Sequence, residues 1–107
     1  MLTLNQIRND LKDIRYYYAR KELFDKSFED TGENHILEVV KKYHTAIKDA
    51  PIKLYDLYTS LYINNNTQEV LAEDLCFTPE YIQKLNVKLL KFFQTYFSAG
   101  EIKNEGE

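Results

Sequence analysis

Three lysines in the last third of the chain have the spacing of a nucleic-acid-binding helix face. Lys84, Lys88 and Lys91 follow one another at intervals of four and three residues, so a helix places them on one side. Their ammonium groups suit phosphates, and a nearby glutamine amide suits an adenine edge. The residues that this pattern predicts to contact DNA are Thr78, Tyr81, Gln83, Lys84, Lys88 and Lys91.

The predicted contacts differ in their roles. Thr78, at the expected helix start, and Lys84 are predicted to hold phosphate, because free backbone amides at a helix N-terminus attract anions. Tyr81 and Gln83 are predicted to approach base edges. The two remaining lysines of the stripe are expected to follow the phosphate backbone.

Residues that could carry catalysis or bind a metal are few and unsuitably spaced. His35 and His44 are nine residues apart, which is not the four-residue spacing that puts two ligands on one helical face, and Cys76 is distant from both. The chain has no phosphate-cradling glycine loop and no nucleophile elbow. We therefore expect no metal site, no cofactor and no enzymatic activity.

Composition limits the function further. The chain has 107 residues, enough for one domain, and a net charge of −3, which argues against coating nucleic acid by bulk charge. A local basic face is still possible, since residues 79–99 carry three lysines and one glutamate. A single cysteine, no leader-like N-terminus and no long apolar run predict a cytoplasmic protein outside the membrane.

The apolar residues recur at intervals of three and four, which predicts an all-α fold of about five helices. We expect a single domain that comprises a helical hairpin (1–50), a helix-turn-helix unit (51–99) and a flexible tail (100–107). The long helices are expected at about 4–28, 34–48 and 79–99, with short helices on either side of "INNN" (63–66).

Cap residues fix the expected helix boundaries. Thr3 with Gln6 forms a capping box, and Thr67 and Thr78 are placed to cap the fourth and fifth helices. Further boundary signals are Asp49 with Pro51 for the third helix, "EDTGEN" (29–34) after the first, and Gly100 after the fifth.

The stretch from 64 to 93 is typical of a helix-turn-helix, with a short helix, a three-residue turn at 76–78 and a longer helix. Ala72 is small enough to let the two helices cross closely. Residues expected to be buried between them are Leu71, Leu75, Ile82 and Leu85. Cys76 is expected to be a small apolar residue packed in the turn.

The segment "TQEVLAEDLCFTPEYIQKLNVKLLKF" resembles the helix-turn-helix of sigma-70 region 4, and the resemblance covers about 50–97. The whole chain is similar to small phage and prophage proteins of Gram-positive bacteria, through "IRYYYARK", "APIKLYDLY" and "TPEYIQKLN". That group includes sigma-like transcription regulators of the ArpU and RinA kind. The resemblance implies a DNA-binding regulator in the cytoplasm of a bacterial host, with double-stranded DNA as its partner.

The segment departs from that family at several positions. Cys76 stands where glycine is usual in the turn, Glu80 replaces a residue favourable to phosphate, and the second helix has no arginine. An alternative function therefore stays open, namely a phage module that binds a host protein, such as polymerase or a defence nuclease, without reading DNA. The acids Glu69, Glu73 and Asp74 on the fourth helix fit that alternative.

The stretch "DIRYYYARKELFD" (13–25) also mixes aromatic and basic residues. Helical spacing predicts that Tyr17 and Tyr18 pack inward and that Tyr16 is exposed. Arg15, Tyr16 and Arg20 are therefore predicted as a possible partner surface.

The fifth helix is apolar over a wide arc, and this suggests a homodimer as well as a core. Leu90, Phe93 or Phe97 could cover either the first helix or another subunit. Regulators that read paired half-sites are often two-fold dimers, so we expect a homodimer.

Overall fold

A computed structural model describes residues 2–23, 25, 26 and 35–105, and every regular element in these ranges is helical. The all-α prediction is therefore confirmed. The helices are α1 (Leu4–Ala19), α2 (His35–Ile47), α3 (Ile52–Tyr58, continued by a π-helical turn at Thr59–Ile63), α4 (Gln68–Asp74) and α5 (Pro79–Glu105). The predicted end of the first helix at 28 and the break at 29–34 lie outside the described ranges.

Three helix starts follow the predicted caps. The Thr3 side chain accepts from the Gln6 amide at 3.1 Å and the Gln6 side chain accepts from the Thr3 amide at 2.8 Å, which completes the capping box. Thr67 and Thr78 accept amide hydrogen bonds at 3.1 and 3.2 Å in the same way. The third helix differs from the prediction, because Pro51 is itself the cap residue and no side chain caps the start of α3.

The first helix is interrupted at Arg20, so the prediction of one continuous helix from 4 to 28 is wrong. Arg20 adopts φ −134° and ψ 37°, and helical backbone resumes at 21–23 and 25–26. The bend lets the Tyr17 hydroxyl donate to Asp25 at 2.7 Å. In a straight helix, residues eight positions apart lie about 12 Å apart along the axis, which would hinder this hydrogen bond.

The loop before α4 follows a widened helical turn. The amide of Asn64 bonds to the carbonyl of Thr59 at 2.9 Å, five residues back, and Asn65 then turns the chain with φ 59°. An asparagine tolerates this left-handed backbone better than most residues, as the "INNN" sequence predicted. The loop that follows leads directly to the Thr67 cap of α4.

The fifth helix is longer than expected. Gly100 was predicted to end it, but α5 continues through that residue to Glu105. Glycine weakens a helix interior by about 1 kcal/mol relative to alanine but does not forbid it. Glycine ends a helix when it adopts a left-handed conformation just after the last helical turn. The backbone at Gly100 stays helical instead.

Each of the helices α1 to α5 contributes side chains to one buried core. The fully buried large side chains are Ile7, Leu11, Ile14, Tyr43, Ile47, Tyr58, Ile82, Leu89, Leu90 and Phe93. The ring of Phe93 lies 4.7 Å from that of Tyr43 and 5.8 Å from that of Tyr58, both at steep angles. Leu90 and Phe93 are thus used inside the chain, which removes them from the surfaces considered for a second subunit.

Among the described residues, no helix combines the length and apolar character that crossing a membrane would require.

Candidate nucleic-acid interface

The connection between α4 and α5 is a tight turn built on backbone hydrogen bonds. The amide of Cys76 donates to the carbonyl of Glu73 at 3.2 Å, and the amide of Phe77 donates to the carbonyl of Ala72 at 2.8 Å. This pair of bonds is the Schellman pattern, which requires a left-handed residue directly after the helix end. Cys76 supplies it with φ 58°.

The positive φ at Cys76 is a backbone conformation for which glycine is the preferred residue. Glycine lacks the Cβ atom that makes left-handed backbone unfavourable. Cys76 adopts the same conformation at a cost of about 1–2 kcal/mol. Its side chain is exposed, so the expectation that it packs as a small apolar residue is wrong.

Residues on both sides of the turn hold α4 against α5. Leu71, Ala72 and Ile82 are buried, as the sequence predicted. Leu85 is partly buried against them. Leu75 was expected to be buried but is 50% exposed, because the chain leaves the helix at this residue.

The exposed side of α5 brings four of the six predicted contacts together. Gln83, Lys84, Lys88 and Lys91 share one shallow surface, and all four side chains are exposed. The buried residues Ile82, Leu89 and Phe93 lie on the opposite side of the helix and anchor it to the core. Packing therefore fixes which way the lysines face. We define these four residues as the lysine face.

Val87 and Glu80 also belong to this surface, although neither was among the six predicted DNA contacts. Val87 lies four residues after Gln83 and Glu80 lies four residues before Lys84, and both line the same surface. A helical projection of the sequence contains this information, since residues four apart are neighbours. Val87 adds an apolar side chain to this surface, and Glu80 adds a negative charge to it.

Thr78 and Tyr81 lie at the margin of the lysine face. The Thr78 hydroxyl is exposed but already accepts the Tyr81 amide as a helix cap. The half-buried Tyr81 ring packs on Phe77 with centroids 4.8 Å apart and faces a separate apolar groove. Tyr81, which was predicted to contact DNA together with the lysines, lies at the border between the two surfaces.

The predicted partner surface on α1 is divided by the fold. Arg15 is half-buried and donates from its guanidinium to the side chain of Asn65 at 3.2 Å and to the carbonyls of Asn65 and Asn66 at 3.3 and 3.4 Å. The guanidinium of Arg20 lies 5.3 Å from the centre of the exposed Tyr16 ring. Arg15 therefore fastens a loop, and only Tyr16 and Arg20 are left at the surface.

No family model, curated protein or solved structure matches the chain in the three comparisons made with known proteins. Within the described ranges, no three histidine, cysteine, aspartate or glutamate side chains are grouped so that they could hold a metal ion.

Proposed function

We propose that the protein binds double-stranded DNA through the exposed side of α5 and regulates transcription, as phage and prophage regulators do. The observation that carries this proposal is the lysine face, in which three ammonium groups and a glutamine amide project from one side of a rigidly packed helix. A helix with its side chains is about 10–12 Å across, and the major groove is about 12 Å wide.

The side chains of this surface suit different parts of the DNA. Lys88 and Lys91 would neutralise backbone phosphates, and Lys84 with Thr78 would hold a phosphate near the start of α5. Gln83 would pair with an adenine edge. Val87 suits a thymine methyl group, which makes the surface capable of base contacts as well as phosphate contacts.

The test compares two triple variants with the same change in net charge. The first variant replaces Lys84, Lys88 and Lys91 by alanine. The second replaces three exposed lysines elsewhere, Lys12, Lys26 and Lys48, by alanine. DNA affinity of each is measured by fluorescence anisotropy over a range of salt concentrations. The first variant should bind more weakly and show a salt dependence shallower by about 0.9 for each phosphate that it no longer neutralises.

The control triple variant should keep the affinity and the salt slope of the wild type, except for a small uniform loss from the changed net charge. Equal loss of affinity in both triple variants, or no DNA binding by the wild type at low salt, would contradict the proposal.

Selection from a random DNA pool adds a second readout. Replacing Gln83 by alanine should relax the recovered consensus at one position while the binding of unrelated sequences changes little.

A second candidate function is binding to a host protein without reading DNA. It is favoured by α4, where the exposed side chains of Glu69, Glu73 and Asp74 would repel a phosphate backbone that came close. This function gains if the wild type has no measurable affinity for DNA at low salt. Replacing these three acids by their amides would then weaken capture of the host protein, whereas a DNA-binding regulator would lose no affinity for DNA.

A further inference from the structure

An apolar groove lies beside the lysine face, where α3, α4 and α5 meet. It encloses about 200 Å³. Its apolar walls are formed by Leu57, Leu71, Leu75, Phe77, Tyr81 and Leu85. A cavity of about 150 Å³ with a similar lining accommodates a benzene ring, so this groove has room for one large apolar side chain.

The rim of the groove exposes apolar area that the fold itself leaves uncovered. Leu75 is 50% exposed and Phe77 is 46% exposed. On α3, Ile52 is 76% exposed and shares a helix face with the groove residue Asp56, four positions later. Leu75 and Phe77 line the same groove, and exposed apolar area that is grouped in this way is a feature of interaction sites.

Two opposite charges stand on the α3 edge of the same groove. Lys53 and Asp56 both line it and are three residues apart, about 4.5 Å along the helix axis. A partner with a uniformly charged surface would attract one of these groups and repel the other. A second copy related by a two-fold axis presents the same pair in reverse order, so each lysine meets an aspartate.

We propose that this groove is the interface through which two copies of the chain form a two-fold dimer. The exposed rim of each groove, with the half-exposed Phe77, packs on the rim of the other, and Lys53 of each copy faces Asp56 of the second copy. The mixed pair of charges favours a second copy over a partner with a uniformly charged surface, because the groove edge matches its own two-fold copy. The proposal does not rest on DNA binding and concerns a surface next to the lysine face.

The experiment uses charge reversal and measures the oligomeric state by sedimentation equilibrium. Lys53→Glu places two acids on each edge, and Asp56→Lys places two bases there, so each variant alone should dimerise at least about tenfold more weakly. An equimolar mixture of the two variants should recover an association constant close to that of the wild type, since the acidic edge of one meets the basic edge of the other. Phe77→Ala should also weaken the dimer.

Matched controls separate the interface from net charge. Lys12→Glu and Asp13→Lys make the same charge changes on an exposed part of α1, and neither should alter the dimer. Circular dichroism shows that each variant is folded. A wild type that stays monomeric up to about 1 mM overturns the proposal. The proposal is also overturned if the single charge reversals leave the association constant unchanged, or if the mixture of the two variants does not regain it. The groove would then bind a different partner.

Discussion

Two segments of this chain combine aromatic and basic residues, and the fold uses them in opposite ways. In the segment 13–25, Tyr17 is only 4% exposed and the Arg15 guanidinium is engaged by the loop at 65–66. In the segment 81–91, the three lysines are exposed on one side of α5. Arg15 and Tyr17 of the first segment serve the internal structure of the protein, whereas the lysines of the second segment present charge to the solvent.

The difference shows that composition alone does not identify a nucleic-acid surface. Helix α1 packs against the π-helical turn, α2 and α5 through the side that carries Ile7, Leu11, Ile14 and Tyr17. On α5 the buried side chains occupy one side, and the lysines occupy the other. What separates the segments is therefore the angular spacing of charge around the helix, together with the neighbours that the fold supplies.

The largest expected effect comes from truncating a buried tyrosine of the first segment. Tyr17→Ala removes a ring that contacts Tyr18 with centroids 5.0 Å apart and a hydrogen bond to Asp25. The free energy of unfolding, measured with urea, should fall by about 3–5 kcal/mol, the range for large aromatic truncations in cores. Tyr16→Ala, one residue earlier and 51% exposed, should cost at most about 1 kcal/mol. Equal losses in these neighbours would contradict the assignment of the segment to the core.

The next effect concerns the arginine that holds the loop. Arg15→Ala should lower the free energy of unfolding by about 2 kcal/mol, because this substitution removes three hydrogen bonds from a charged, half-buried group at once. Arg15→Lys should recover little, since one ammonium group cannot replace contacts made by two guanidinium nitrogens. Lys12→Ala, on the exposed side of the same helix, should stay within about 0.5 kcal/mol of the wild type. Full stability in Arg15→Lys would show that charge, not geometry, is what matters.

Much of the fold could be predicted from the sequence, because the signals are local. Thr3, Thr67 and Thr78 cap helices as their hydroxyls and spacing indicated. The burial of Ile82 and Ala72 and the exposure of Tyr16 follow from helical periodicity. The exposed stripe of lysines follows from the same periodicity, although its contact with DNA stays a prediction.

What could not be predicted depends on contacts between distant segments. The break at Arg20 lets Asp25 reach Tyr17, and no periodicity of the sequence contains that hydrogen bond. The role of Arg15 depends on a loop fifty residues away. The groove beside α5 needs side chains from three helices at once, so neither its apolar lining nor its two charged groups stand out in the sequence.

A smaller effect should appear at alkaline pH. Burial and the hydrogen bond to Asp25 raise the pKa of Tyr17 to about 12, whereas tyrosine in an unfolded chain has a pKa of about 10. Between these values the unfolded chain releases a proton that the folded protein keeps, so the stability that Tyr17 contributes is complete below pH 10 and declines as the pH rises toward 12. Burial also raises the pKa of Tyr43 and of Tyr58, in the same direction.

Tyr17→Phe isolates this contribution. The variant should lose about 1 kcal/mol at neutral pH through the missing hydrogen bond, and its stability should fall less steeply than that of the wild type above pH 10. Urea unfolding at a series of pH values gives both quantities. A Tyr17→Phe curve that parallels the wild type above pH 10 would mean that Tyr17 titrates like a solvated tyrosine.

The smallest structural effect gives the sharpest test of the comparison. Lys88→Ala on the lysine face and Lys12→Ala on α1 each remove one exposed ammonium group, so both should keep the free energy of unfolding within about 0.5 kcal/mol. Only Lys88→Ala should weaken DNA binding, uniformly for all sequences, with a salt slope shallower by about 1. If both variants lost affinity equally, binding would depend on net charge and the two segments would be equivalent. If neither variant lost affinity, the lysines of α5 would contact only solvent. The two segments would then differ in structure but not in function.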